Sequence, residues 1–219
     1  MDVSLILSHS QLFEDIKSES IKPLLNCLNP HIKSYTKQEY ILSMGDTIPG
    51  IGLVLDGTVQ ILKEDLEANR VIMDHITPGY MFAESFVCAG FLKSMVYAQA
   101  VTNCRIMWFD LQKIVTACSS SCEFHHQLIA NLLKITAQKS IFLNTKIDIL
   151  SKKTIREKTL SYLTSVSYQM AQKKFVIPFD RAQMADFLCI DRSALSRELS
   201  RMKEEGIIDY HKNTFTLKN

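Results

Sequence analysis

Residues 180–206 read DRAQMADFLCIDRSALSRELSRMKEEG, and this stretch decides the architecture of the second half of the chain. Asp180 stands where a short helix over Arg181–Leu188 needs an N-cap. Cys189-Ile190 makes a tight turn, and Asp191 offers a second cap ahead of a helix over 192–205. Two short helices about a brief turn form a helix-turn-helix. In the second, Leu195, Leu199 and Met202 follow the i, i+4, i+7 spacing of a buried stripe, which leaves Arg192, Ser193, Ser196, Arg197 and Ser200 on the opposite side. Serines let a helix backbone approach closely, and a guanidinium can donate two hydrogen bonds to guanine O6 and N7, so this face suits the major groove. Gly206 ends the helix. Segments 207–210 and 214–217 alternate as strands about His211-Lys212-Asn213, which completes a winged helix.

The charge distribution agrees with that reading. Residues 1–149 hold 12 Lys and Arg against 15 Asp and Glu; residues 150–219 hold 13 against 8. A basic C-terminal module on an acidic N-terminal one is the electrostatic footprint of a polyanion partner. The competing reading is a non-transcriptional module, in which the N-terminal part binds a small molecule and the basic part serves a protein partner. Only the DNA reading requires Arg192 and Arg197 both exposed beside small residues.

Upstream, six of the seven glycines fall between Gly45 and Gly90, so tight turns and short strands crowd into that stretch. Segments 51–55 and 58–62 are β-rich and separated by Asp56-Gly57, the signature of a type I′ hairpin. Further strands are expected at 40–44, 70–76, 96–100 and 105–109, in an antiparallel sandwich or roll. Helices flank it. Ile21, Leu24, Leu25 and Leu28 share one face of a helix over 18–28. From a capping pair at Ser120 and Glu123, a run free of Gly and Pro continues to about residue 150. Its stripe of Phe124, Leu128, Leu132, Ile135 and Phe142 on a helix about 40 Å long exceeds what one small domain covers, so part of it is expected to meet a second copy of the chain, the alternative being a helix packed wholly on its own β domain.

A chain of 219 residues, 47% apolar and 22% charged, fits two modest domains and excludes disordered or fibrous classes. No run of apolar residues is long enough for a transmembrane helix, and the N-terminus lacks a signal peptide's pattern. A cytoplasmic, membrane-free protein with reduced thiols at its six cysteines is expected. No P-loop, nucleophile elbow or HExxH motif is present, so an enzyme is not expected.

The segments LVLDGTVQILKE (53–64), GYMFAESF (79–86), the long central helix and FLCIDRSALSRELSRM (187–202) resemble, in order and spacing, the CRP/FNR transcription regulators. The resemblance spans nearly the whole chain. It implies an α+β protein with three parts: a cyclic-nucleotide-binding-type β-roll (jelly roll) over 1–118, a dimerisation helix over 119–150 and a winged helix-turn-helix over 151–219. It also implies a homodimer on pseudopalindromic double-stranded DNA, RNA polymerase as a partner, and an effector or redox signal sensed by the roll. Position by position, Arg192, Ser193, Ser196 and Arg197 match the base-reading face, while Arg181 and His211 match phosphate contacts that the wing's Lys212 would extend. Ser193 stands where many members carry glutamate, and Cys189 replaces the glycine common in the turn.

In the family's nucleotide pocket a helix N-terminus and an arginine hold the cyclic phosphate and a glutamate accepts the ribose hydroxyl. Glu84, beside Ser85, matches the glutamate, but the arginine position is Ser94 and its serine neighbour is Met95. Lys93 is one residue away, and in extended chain that points it to the other side. Cyclic AMP is therefore not expected, and the effector is left open. With Cys27 the one cysteine near the N-terminus, an iron–sulfur cluster of the oxygen-sensing kind is not expected either, nor is haem at His75. Cys118, Cys122 and His125 would share a helical face and form a candidate redox or metal group, set against an ordinary structural role.

Overall fold

Strands β1 (His31–Tyr35), β2 (Tyr40–Leu42), β3 (Ile51–Asp56), β4 (Val59–Glu64), β5 (Arg70–Ile76), β6 (Met81–Phe82), β7 (Tyr97–Ala100) and β8 (Cys104–Phe109) form two four-stranded antiparallel sheets. Their orders are β1-β8-β3-β6 and β2-β7-β4-β5. The computed structural model describes residues 3–64, 70–116 and 123–218. It divides into two compact units, residues 1–138 and 139–219.

Alternation along β8 builds two cores from one strand. Cys104, Ile106 and Trp108 face the second sheet, where Val59, Ile76, Ala98 and Ala100 meet them. Met107 and Phe109 face the helices α1 (Val3–Ser8) and α2 (Ser18–Leu28), together with Ile51, Leu53 and Leu55 of β3. Gly52 permits the first core to close, since a Cβ there would lie 2.6 Å from the Phe82 ring, which stands edge-on to Trp108.

The expected β3–β4 hairpin does not form. The two strands lie in different sheets, β3 pairing with β8 and β6, and β4 with β5 and β7. Asp56-Gly57 carries the chain across from one sheet to the other. Gly57 has φ 81°, and a Cβ on it would lie 2.2 Å from the Asn103 carbonyl oxygen, so the residue is fixed by close approach rather than by a two-residue loop. Asp56 pairs across β3–β8 with Arg105 at 2.6 Å. Strand β3 is buried along most of its length, which fits a central strand covered on both faces better than one arm of a hairpin.

After α3 (Glu84–Cys88) and α4 (Leu111–Val115), helix α5 (Glu123–Ser151) contributes to both units. Leu128, Leu132 and Ile135 enter the core beneath β3, and Ile149 enters the core of the second unit. The second unit is α6 (Ile155–Met170), β9 (Lys174–Val176), α7 (Arg181–Leu188), α8 (Arg192–Glu204), β10 (Ile208–His211) and β11 (Thr214–Leu217), with sheet order β10-β11-β9. Helix α6 was not anticipated from the sequence. Its signals are the capping box of Thr154 and Glu157 and a buried stripe of Thr159, Tyr162, Leu163 and Val166, whose first member is polar. Among the described residues no helix is long and apolar enough to cross a membrane.

Candidate nucleic-acid interface

Helix α7 starts where expected, with the Asp180 carboxylate accepting the amides of Ala182 and Gln183 at 2.8 and 2.9 Å and the Gln183 Oε1 accepting the Asp180 amide at 2.9 Å. It ends at Cys189, whose φ of 52° and ψ of 52° are left-handed. The turn therefore takes the conformation that a glycine would adopt without strain. Asp191 then caps α8 by accepting the Ala194 amide at 2.8 Å. That bond and a hydrogen bond from the Ser193 hydroxyl hold the Asp191 carboxyl below the usual carboxylate range, the serine contributing most.

Leu195, Leu199 and Met202 are fully buried, and Arg192, Ser193, Arg197 and Ser200 are exposed, with Ser196 half-buried. The serine hydroxyls are occupied locally: Ser196 donates to the Arg192 carbonyl at 2.9 Å and Ser200 to that of Ser196 at 3.2 Å. Among the described residues neither Arg192 nor Arg197 spends its guanidinium on a hydrogen bond or ion pair within the chain. Arg156 of α6 fixes the far half of α8. Its guanidinium donates to Glu198 at 2.5 Å and to both carboxylate oxygens of Glu205 at 2.7 and 2.9 Å. The pair raises the Arg156 pKa, Glu205 more than Glu198, and Arg156 in turn lowers that of Glu205. No sequence pattern announced this clamp, because its partners stand 42 and 49 residues away.

The wing turns through Lys212-Asn213 between β10 and β11. Lys212 has φ 55°, the left-handed region. His211 and Lys212 are exposed at this tip. Arg181, expected at a phosphate, instead directs its guanidinium onto the wing. It lies 4.9 Å from the Tyr210 ring centroid and 5.3 Å from that of Phe215, and donates to the Lys212 carbonyl at 3.2 Å. Burial lowers its pKa from the ordinary guanidinium value.

In the first unit Glu84 is buried at the start of α3 and accepts a hydrogen bond from Ser85 at 3.1 Å. Ser94 is buried and donates to the Val96 carbonyl at 2.7 Å, whereas Met95 and Lys93 are exposed. Lys93 donates from its Nζ to the Thr47 hydroxyl at 3.0 Å. Ser94 offers a cyclic phosphate a hydroxyl and no charge, and a phosphate that leaves water needs a cation beside it.

Cys118 and Cys122, and Ser120 of the capping pair, lie outside the described residues. His125 is buried, and its Nε2 stands 3.8 Å from the Sγ of Cys27 on α2, a contact with no local sequence signal. No group of three potential metal ligands occurs among the described residues. His75 is exposed on β5.

The seam expected on α5 needs correction. Leu128, Leu132 and Ile135 are buried against this chain's own helices and β3, with Phe124 packed partly on the same cluster. Phe142 is exposed, with its ring 6.3 Å from Phe187. Besides Phe142, the large apolar side chains that α5 leaves in solvent among the described residues are Leu133, Ile141, Leu143 and Ile147. Leu133, Ala137, Ser140, Asn144 and Ile147 are all exposed and spaced four and three residues in turn, the repeat of a coiled-coil seam.

Comparison with known proteins follows the same division. The family described as Cyclic nucleotide-binding domain matches residues 32–121, and the Crp-like helix-turn-helix domain matches residues 157–219. A probable transcriptional activator of Rhizobium leguminosarum bv. viciae is 26% identical, covering 77% of this chain and 69% of that protein. Among solved structures, the catabolite activator protein of Thermus thermophilus is 20% identical with a TM-score of 0.56, covering 95% of this chain and 93% of that one. The c-di-GMP responsive global regulator CLP of Xanthomonas campestris is 15% identical with a TM-score of 0.57, covering 93% of this chain and 100% of that one. At these identities the structural likeness is one of fold.

Proposed function

We infer that this chain, which belongs to the CRP/FNR-type transcription regulators, acts in the cytoplasm as a homodimer that places two copies of α8 in successive major grooves of a pseudopalindromic operator. Arg192, Ser193, Ser196 and Arg197 read base edges, His211 and Lys212 hold phosphates, and RNA polymerase is the partner through which binding changes transcription. The observation that carries this reading is the α8 face itself: two exposed guanidinium groups that make no hydrogen bond or ion pair among the described residues, beside serines, on a helix fixed from behind by Leu195, Leu199 and Met202.

The subunits meet along the exposed stripe of α5 from Leu133 to Ile147. The signal enters through the β-roll, and its effector is not cyclic AMP, because Ser94 and the exposed Lys93 leave the phosphate without a buried cation. Cys27 and His125 are read as structural, without an iron–sulfur cluster or haem.

The test is selection from a random duplex pool with wild-type protein, then Arg197→Ala on the selected site and on scrambled DNA. Selected sites should be two-fold symmetric, and the substitution should cost about 1 to 3 kcal/mol per half-site on the selected site alone. Asymmetric sites, or an unchanged ratio of selected to scrambled affinity, would remove α8 as the reading helix.

A further inference from the structure

We propose that Arg181 is a positioning residue of the wing, which sets the place of the Lys212 ammonium on DNA and does not itself touch a phosphate. The proposal rests on the DNA-binding reading above.

The wing turns through Lys212 and Asn213. Of the two turn residues, Asn213 is the one that tolerates a left-handed backbone, yet the structure puts Lys212 there, with φ 55°. Local preference alone would favour a shifted turn with Asn213 in the left-handed place. A non-glycine residue holds such a conformation when its surroundings over-determine it. Here three contacts do so. Arg181 donates to the Lys212 carbonyl, Asn213 donates through its side chain to the Ile177 carbonyl at 3.2 Å, and the Ile177 amide donates to the Asn213 carbonyl at 2.9 Å. The last two fasten Asn213 to the chain beyond β9, and the first fastens Lys212 to the start of α7; Lys203 of α8 holds the wing lower down, donating to the Tyr210 carbonyl at 3.2 Å and pairing with Asp209 at 2.8 Å.

Arginine suits this task and lysine does not. A planar guanidinium can lie against aromatic rings while its edge donates in a fixed direction. The Arg181 group does both, lying over Tyr210 of β10 and Phe215 of β11. An ammonium in its place could keep the charge but would lose the stacking and the aim. Arg181 is half-buried, whereas Lys212 is exposed at the tip, so the cation offered to a phosphate is the lysine's.

The experiment measures the salt dependence of binding to a duplex selected by the wild-type protein, for Arg181→Lys, Lys212→Gln and the double variant. Losing one phosphate contact lowers the salt slope by roughly one per half-site. Expected is that Arg181→Lys, although it conserves charge, lowers the slope as much as Lys212→Gln does, and that the double variant loses no more than Lys212→Gln alone. If Arg181 touched phosphate directly, Arg181→Lys would keep the slope, and that result overturns the proposal. Should Arg181→Lys fail to fold, Arg181→Gln replaces it: losses of roughly one per half-site that do not add to those of Lys212→Gln support the proposal, and losses that add refute it. Wild-type protein that binds no duplex would sink the DNA reading and this proposal together, whereas binding with additive losses sinks the proposal alone.

Discussion

Leu132 and Leu133 are neighbours on α5 with opposite surroundings, one 5% and the other 64% exposed, and replacing each by Ala should separate folding from dimerisation. Leu132→Ala removes γ and δ carbons from the core beneath β3, a change that costs about 2 to 5 kcal/mol in well-packed interiors. For a chain of this size that corresponds to a fall of roughly 4 to 20 °C in the unfolding midpoint. Leu133→Ala removes the same atoms from solvent-facing surface, so the protomer should barely notice. The proposed dimer should notice twice. At ~0.8 kcal/mol per methylene, scaled by the exposure still available for burial, the loss is roughly 1.5 kcal/mol per protomer, or about 3 kcal/mol and two orders of magnitude in the dimer Kd. Analytical ultracentrifugation over a concentration series reads the Kd, and thermal unfolding at one fixed concentration reads the fold. The reasoning fails if Leu133→Ala leaves the Kd within about threefold of wild type. It also fails if Leu132→Ala dissociates the dimer while the unfolding midpoint stays put.

Two further outcomes follow from positions where the chain departs from its family's pattern. Cyclic AMP at millimolar concentration should leave the thermal midpoint unmoved; a saturable rise of several degrees would overturn the reading of Ser94 and point to Lys93 as the substitute cation. Cys189→Gly should relieve the left-handed strain at the helix-turn-helix corner at the cost of a more flexible unfolded chain, a net gain of about 0.5 to 1 kcal/mol and roughly 1 to 4 °C, because the exposed thiol gives up little packing. A midpoint that falls on calorimetry would show that Cys189 makes contacts worth more than the strain.

The C-terminal unit was legible because its information is local. Asp180 and Asp191 cap helices within three residues of themselves, and the buried face of α8 repeats at helical spacing, so no distant partner had to be known. The β-roll hid its pairing because a strand's alternation says which side chains share a face and nothing about which strand lies beside it. Thus β3 and β4 were recognised as strands and paired wrongly. Strand β1 escaped notice since four of its five residues are exposed and show no alternation. Helix α5 posed a different difficulty. Its apolar residues cover more than one face, and periodicity could not say which stripe meets the chain's own core and which is left for a partner. Leu128, Leu132 and Ile135 meet the chain's own core.

What the α8 face would do on DNA follows from the bonds its residues have already made. A guanidinium is all donor and no acceptor, and in water its donors are satisfied by solvent. Entering a groove strips that water away. Arg192 and Arg197 have no partner in the chain to fall back on among the described residues, whereas Ser196 and Ser200 keep their carbonyl acceptors whatever base lies opposite. The hydroxyl protons of Ser196 and Ser200 are therefore already committed, whereas the guanidinium donors are not. Opposite guanine O6 and N7 an arginine replaces its lost water bonds; opposite a base edge that presents a donor it is left unsatisfied, a penalty of about 1 to 3 kcal/mol. The helix cannot easily tilt to evade that penalty, because Asp191 fixes its first turn and Arg156 holds Glu198 and Glu205 in its second half. On the proposed reading, discrimination at this face would come from the rigidity of α8 as much as from its two arginines, and the Arg156 clamp would contribute to sequence choice by denying α8 an alternative pose.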